Sequence, residues 1–285
     1  MSQKNLNHEK NNIISLFNQK KFDKISKISS KILEQFNEQI EIVKIVVISY
    51  LNLKNYFKAE QYLKNSLLEL DSAELYYFLG NTYKIQDKNL EAIDAYKKSI
   101  SLNSDYSEAY NNLANVQKKI GMLDEASSNY LNAINCKKDN IEAYYNLANL
   151  KKSQKNYEDA IKNYNKVIKI NSNFADAYNN IGTINSILGK FEEAKKFFVK
   201  AIKINNLFSE PYKNYVQSIN IKENDKIFNS LLEIINRNDL NDEQKEVFYY
   251  SASKGFFDLN KKEAAFKYLN LANEIKFSRS NYSFK

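Results

Sequence analysis

The chain has 285 residues, 42 of them basic and 34 acidic, for a formal charge of +8 and a pI near 9.1. Its one cysteine, Cys136, excludes an internal disulfide and a cysteine-based metal cluster, and its one histidine, His8, has no His or Cys companion to make it a ligand. With one proline and five glycines, helix breakers are nearly absent and an all-helical chain is expected.

In chain order, Met1-Ser2-Gln3-Lys4-Asn5-Leu6 lacks the apolar run of a secretory signal. Residues 6–39 keep a loose helical pattern with Phe22 and Ile25. The most apolar stretch, Ile40 to Leu53, is interrupted by Glu41, Lys44 and Asn52, which suits a buried helix rather than a bilayer span. A soluble chain in a reducing compartment, the cytoplasm, is the expectation. Residues 40–72 continue with Tyr50, Tyr56 and Ala59.

From Ala73 a strict period sets in. Tyr76, Tyr110, Tyr144, Tyr178 and Tyr212 are spaced by 34 residues, as are Ala92, Ala126, Ala160 and Ala194, and Tyr96, Tyr130, Tyr164 and Phe198. A fixed period of this length means stacked supersecondary units that share a continuous core. Within residues 73–106, Tyr76, Leu79, Gly80 and Tyr83 make one apolar helical face. After the polar break Gln86-Asp87-Lys88-Asn89, the residues Leu90, Ala92, Ile93, Tyr96, Ser99 and Ile100 make a second. The unit is a helical hairpin that cannot bury its faces alone.

This pattern resembles the tetratricopeptide repeat. The family's seventh position is Leu79, Leu113, Leu147 and Ile181, and its small eighth position is Gly80, Ala114, Ala148 and Gly182. Gly121 and Gly189 stand at position 15, Tyr157 and Phe191 at position 17, and Ala133 and Ala201 at position 27. The resemblance implies a right-handed α-solenoid. The usual proline at position 32 is replaced by Ser104, Lys138, Ser172 and Asn206, which should soften the links between repeats. Gln117, Lys151 and Asn185 at position 11 should thin the core of their hairpins. Six repeats are expected over residues 1–208, at 6–39, 40–72, 73–106, 107–140, 141–174 and 175–208.

Residues 209–275 depart from the period. Pro211 suits the first turn of a helix holding Tyr212, Tyr215, Val216 and Ile219. Ile227, Phe228, Leu231, Leu232 and Ile235 make another amphipathic helix, and Asn241 with Gln244 spells a capping box. A divergent capping hairpin follows, with Ala264 and Tyr268 at positions 20 and 24, and residues 276–285 are expected to be a flexible tail. Residues Ile227 to Lys276, with YSASKG, AAF and LAN in order, resemble the close of the repeat region in bacterial TPR–sulfotransferase proteins.

No catalytic constellation is expected. Every glycine belongs to the hairpin scheme, so none builds a phosphate-cradling loop, and no histidine completes a hydrolase triad. No cofactor and no metal is expected. Glu192 and Glu193 suit a helix start, where the dipole favours them. The lysines are spread along the chain among acids, and only Arg237 and Arg279 are arginine, which argues against nucleic acid as a partner. No membrane partner is expected either.

A binding face is legible in the first helices. Asn112, Asn146, Asn180 and Asn214 recur at 34-residue spacing at position 6, with Asn81, Asn115 and Asn149 at position 9 and Tyr77 and Tyr145 at position 5. A column of amides can donate to and accept from an extended peptide backbone, and the column resembles the asparagine ladder of O-linked N-acetylglucosamine transferases. The acids at position 2, namely Glu74, Glu108, Glu142, Asp176 and Glu210, exclude the basic clamp that other tetratricopeptide arrays use for a carboxylate terminus. The expectation is a non-enzymatic scaffold for a protein or peptide partner. The alternative is the substrate-recognition arm of a TPR–sulfotransferase or glycosyltransferase system whose catalytic domain acts in trans.

Overall fold

The computed structural model of the protein describes residues 3–29, 31–32 and 39–280, and among these every regular element is a helix. They are α1 (Gln3–Asn18), α2 (Phe22–Lys27), α3 (Ile40–Asn52), α4 (Tyr56–Glu69), α5 (Ala73–Ile85), α6 (Asn89–Leu102), α7 (Ser107–Lys119), α8 (Leu123–Cys136), α9 (Ile141–Ser153), α10 (Tyr157–Ile170), α11 (Ala175–Ile187), α12 (Phe191–Ile204), α13 (Ser209–Ser218), α14 (Lys226–Ile234), α15 (Asp242–Asp258) and α16 (Lys262–Arg279). No described helix is long and apolar enough to cross a membrane. The chain divides into two compact units, Met1–Leu150 and Lys151–Lys285.

One turn is used throughout. Lys20, Lys54, Asp87, Gly121, Lys155, Gly189 and Asn260 all have positive φ, between 55° and 87°. Each ends a first helix in the left-handed conformation, and the next N–H reaches back five residues to a helical carbonyl, as Met122 does to Gln117 and Lys190 to Asn185. The chain thereby reverses, and the residue five places after each turn, Ile25, Ala59, Ala92, Ala126, Ala160, Ala194 or Ala265, is buried against the first helix. This corrects the reading of the last hairpin. Asn260 is its turn residue, so Ala265 and Leu269, rather than Ala264 and Tyr268, stand at positions 20 and 24.

In the first unit, α3 is the expected buried helix, with Ile42, Val43, Val46 and Val47 in one core with Leu63, Leu75, Tyr83 and Tyr96. A neighbouring core gathers Ala114, Ala126, Tyr130, Leu147 and Leu150. Residues 30 and 33–38 of the 6–39 repeat lie outside those described. Gly80 is small because the Tyr96 ring lies over it; a Cβ there would meet Tyr96 Cε1 at 2.6 Å. Gln117 is buried but not orphaned, since its Oε1 accepts from Asn129 Nδ2 at 2.7 Å.

In the second unit, Ala194, Phe198 and Ile202 of α12 share a core with Tyr212, Tyr215 and Val216 of α13 and with Phe228, Leu231 and Phe248 beyond. Pro211 is buried in the first turn of α13. Asp225 caps α14 through Ile227 N and Phe228 N, and the capping box of Asn241 and Gln244 opens α15. The expected tail is in part helix: α16 continues to Arg279, whose guanidinium pairs with Glu246 at 2.8 Å. Residues 281–285 lie outside the described ones.

Candidate functional site

The amide column is a bonded ladder. In the first unit Asn112 Nδ2 donates to Asn81 Oδ1 at 2.8 Å and to Tyr77 OH at 3.2 Å, so position 6 of one repeat pins itself to positions 9 and 5 of the repeat before. Asn146 Nδ2 donates in the same sense to Asn111 Oδ1 at 3.2 Å. In the second unit Asn214 Nδ2 donates to Asn179 Oδ1 at 2.9 Å and to Thr183 Oγ1 at 3.4 Å. The position-9 amides are held within their own hairpins: Tyr96 OH donates to Asn81 Oδ1 at 2.7 Å, and Tyr130 OH to Asn115 Oδ1 at 2.6 Å.

The ladder therefore has a polarity that the residue pattern did not reveal. Both N–H groups of Asn112 and Asn214 are spent on the neighbouring repeat, while the Oδ1 atoms of Asn112, Asn146 and Asn214 accept no bond from the described residues. A peptide meeting them meets acceptors. Asn180 is drawn into another bond, its Oδ1 accepting from Lys152 Nζ at 2.6 Å. Burial lowers the Lys152 pKa, and burial likewise lowers that of Lys84 in the first unit against a raising influence of Glu142. Tyr145 and Asn149 on α9 are half-buried and engaged within the chain.

Tyr77, an aromatic of the expected binding face, is held within its own unit. It packs at 5.0 Å from the Tyr106 ring, 5.8 Å from Phe78 and 6.1 Å from Tyr96, and its hydroxyl accepts from Asn112. It also walls a pocket of about 290 Å³ in the first unit, lined by Glu108, Asn111, Asn112, Lys137, Asp139, Asn140, Ile141 and Glu142. Sequence reasoning missed Asp139 and Asn140, which come from the connection between α8 and α9. Asn140 holds that connection by donating to Ser107 Oγ at 2.8 Å and accepting from Ala143 N at 2.9 Å. Position 2 supplies Glu108 and Glu142 to the rim, whereas Glu74 is already paired with Lys44 at 2.7 Å.

Cys136 is a free, half-buried thiol. Burial raises its thiol pKa, with Asp105 adding to the shift, and its Sγ lies 3.7 Å from the Ser104 carbonyl. His8 is exposed on α1.

Family models described as tetratricopeptide repeat match residues 107–140, 141–174 and 175–206, and one described as TPR repeat matches 80–121. No curated protein matches the chain. Among solved structures, MamA is 27% identical, with a TM-score of 0.54 over 56% of this chain and 95% of that one. The C-terminal part of a TPR repeat-containing protein from Cytophaga hutchinsonii is 15% identical, with a TM-score of 0.63 over 91% of this chain and 98% of that one. YrrB, described as a TPR protein with an unusual peptide-binding site, is 18% identical, with a TM-score of 0.50 over 70% and 97%.

Proposed function

We propose that this chain, whose residues 80–206 match tetratricopeptide-repeat models, is a protein-interaction scaffold that seats an extended peptide segment on the amide ladder of its first helices. The carrying observation is the pair of amide oxygens on Asn112 and Asn146 that accept no bond from the described residues, with Asn112 itself lining the pocket rimmed by Tyr77, Glu108 and Glu142. Backbone N–H groups of an extended chain are the matching donors, and every peptide has them whatever its side chains. Each such bond contributes about 0.5–1.5 kcal/mol net, so the ladder supports weak, sequence-tolerant binding. The peptide-binding site in YrrB's description belongs to that protein; here it is consistent with the same use of a similar fold.

Substituting the ladder asparagines would confuse binding with the bonds between repeats. The cleaner test reverses charge on the rim with Glu108→Lys/Glu142→Lys, both exposed and outside the ladder's bonds. An immobilised library of random peptides would be probed with the wild type and this variant. Peptides that bind the wild type and are lost by a variant with an unchanged melting curve support the groove. Peptides kept undiminished by the variant, or no bound peptide at all, would sink it.

A further inference from the structure

The net charge of the chain is concentrated in its second unit. Residues 151–285 hold 23 of the 42 basic and 16 of the 34 acidic residues, a net +7, while residues 1–150 carry only +1. Along the sequence the lysines look dispersed, but the repeat sorts them. Lys162, Lys166 and Lys169 on α10 recur 34 residues later as Lys196, Lys200 and Lys203 on α12. The spacing i, i+4, i+7 puts each trio on one helical face, over roughly 10 Å of axis. All six side chains are exposed, and among the described residues none forms an ion pair. The matching positions on α6 are Asp94, Lys98 and Ser101, and on α8 Ser128, Asn132 and Asn135, so the fold does not require lysine there.

The face is also bipolar. Glu158 and Asp159 open α10, and Glu192 and Glu193 open α12, so four carboxylates border one end of the six ammonium groups. At the other end Lys200 and Lys203 line a depression of about 710 Å³ with Asn173, Asp176 and Asn205.

We propose that the outer face of α10 and α12 is a second docking surface, which takes an acidic polypeptide segment. A continuous polyanion, whether a phosphate backbone or an anionic bilayer, would press its charge against the four bordering carboxylates as well as against the lysines. A polypeptide can be acidic opposite the lysines and neutral or basic opposite the border. The lysines act as hydrated point charges without the planar fork that arginine brings to phosphate. The surface lies on the second helices and is separate from the ladder of the first helices. A chain with both can hold two partners at once.

The test uses the full chain in about 0.1 M salt, where screening extends over about 10 Å. Fluorescence anisotropy would follow a labelled helical peptide with glutamates at i, i+4 and i+7, its glutamine counterpart and a short DNA duplex. Phosphatidylcholine–phosphatidylglycerol vesicles would be assayed by co-sedimentation. The glutamate peptide should bind, the glutamine peptide should not, and Lys166→Gln/Lys169→Gln/Lys200→Gln/Lys203→Gln should weaken binding by about tenfold or more, about 1.4 kcal/mol. Gln matches Lys in helix propensity, so the variant keeps its fold, checked by its melt. Glu192→Gln/Glu193→Gln should leave peptide binding intact and raise the affinity for duplex. Peptide binding that survives the lysine substitutions, absence of peptide binding, or tighter lysine-dependent binding of duplex or vesicles would overturn the proposal.

Discussion

At the scale of single residues, the asparagines serve two purposes at once. The N–H groups of Asn112, Asn146 and Asn214 tie successive first helices together, and their carbonyl oxygens accept no bond from the described residues. Asn112→Ala removes two such bonds and leaves Asn81 with only the Tyr96 hydroxyl, so a loss of about 1–3 kcal/mol in urea unfolding is expected even before binding is measured. Tyr130→Phe keeps the buried ring and removes only the bond to Asn115; a loss of about 0.5–1.5 kcal/mol should follow. Glu60 gives a pH signature. Burial by itself would raise its pKa, but hydrogen bonds from Lys64, Lys88 and Gln86 outweigh it and hold the carboxyl at about 2, against an ordinary 4.5. A depressed folded-state pKa stabilises above the unfolded value and is lost as pH falls. The Glu60 contribution should therefore fade from about pH 4.5 down to about 2, and the gap in melting temperature between wild type and Glu60→Gln should close over that window.

At the scale of the element, the hairpin turn and the close helix crossings set the limits. Lys155 occupies the left-handed turn position that Gly121 and Gly189 occupy elsewhere, with φ 58°. Left-handed backbone costs an L-residue about 1–2 kcal/mol, so Lys155→Gly should raise stability, less the entropy that glycine adds to the unfolded chain. Chemical denaturation would show the midpoint moving up; a downward move would mean that the Lys155 side chain contributes more than its backbone costs. In the cap, Gly255 lets α15 lie against Phe228, and a Cβ there would meet the ring at 2.0 Å. Gly255→Ala should destabilise by about 1–3 kcal/mol despite alanine's better helix propensity. The same melts check it.

For the whole molecule, a repeat array has no natural end and must be closed at its last apolar face. Here α13 to α15 cover Phe198 and Ile202 of the last regular hairpin. A chain truncated after Phe208 should expose that face, and size-exclusion chromatography should show association, with a lower melting temperature than the full chain. Retained monomer behaviour with an unchanged melt would mean that the cap has another purpose. The concentration of positive charge in residues 151–285 acts at the same scale: it makes one unit the electrostatic partner-seeker and leaves the other near neutral.

The period of 34 residues, the hairpin turns at Gly121 and Gly189, the capping box at Asn241 and the buried alanines were all readable from the chain, because each depends on local spacing and local backbone chemistry. The last hairpin's register was misread by one residue because its turn is made by Asn260, which carries no glycine signal. The six lysines were visible as letters but not as a face, since only the stacking of hairpins brings residues 34 apart to corresponding places. The asparagine column was visible too, but not its bonding. Which polar atom of an amide is bonded depends on the neighbour in the adjoining repeat, at sequence separations of 31 and 35. Sequence by itself determined the repeat and the residues that line it. Only the tertiary structure decided which polar atoms remain for a partner, because hydrogen bonds between repeats are settled by packing distance rather than by residue type.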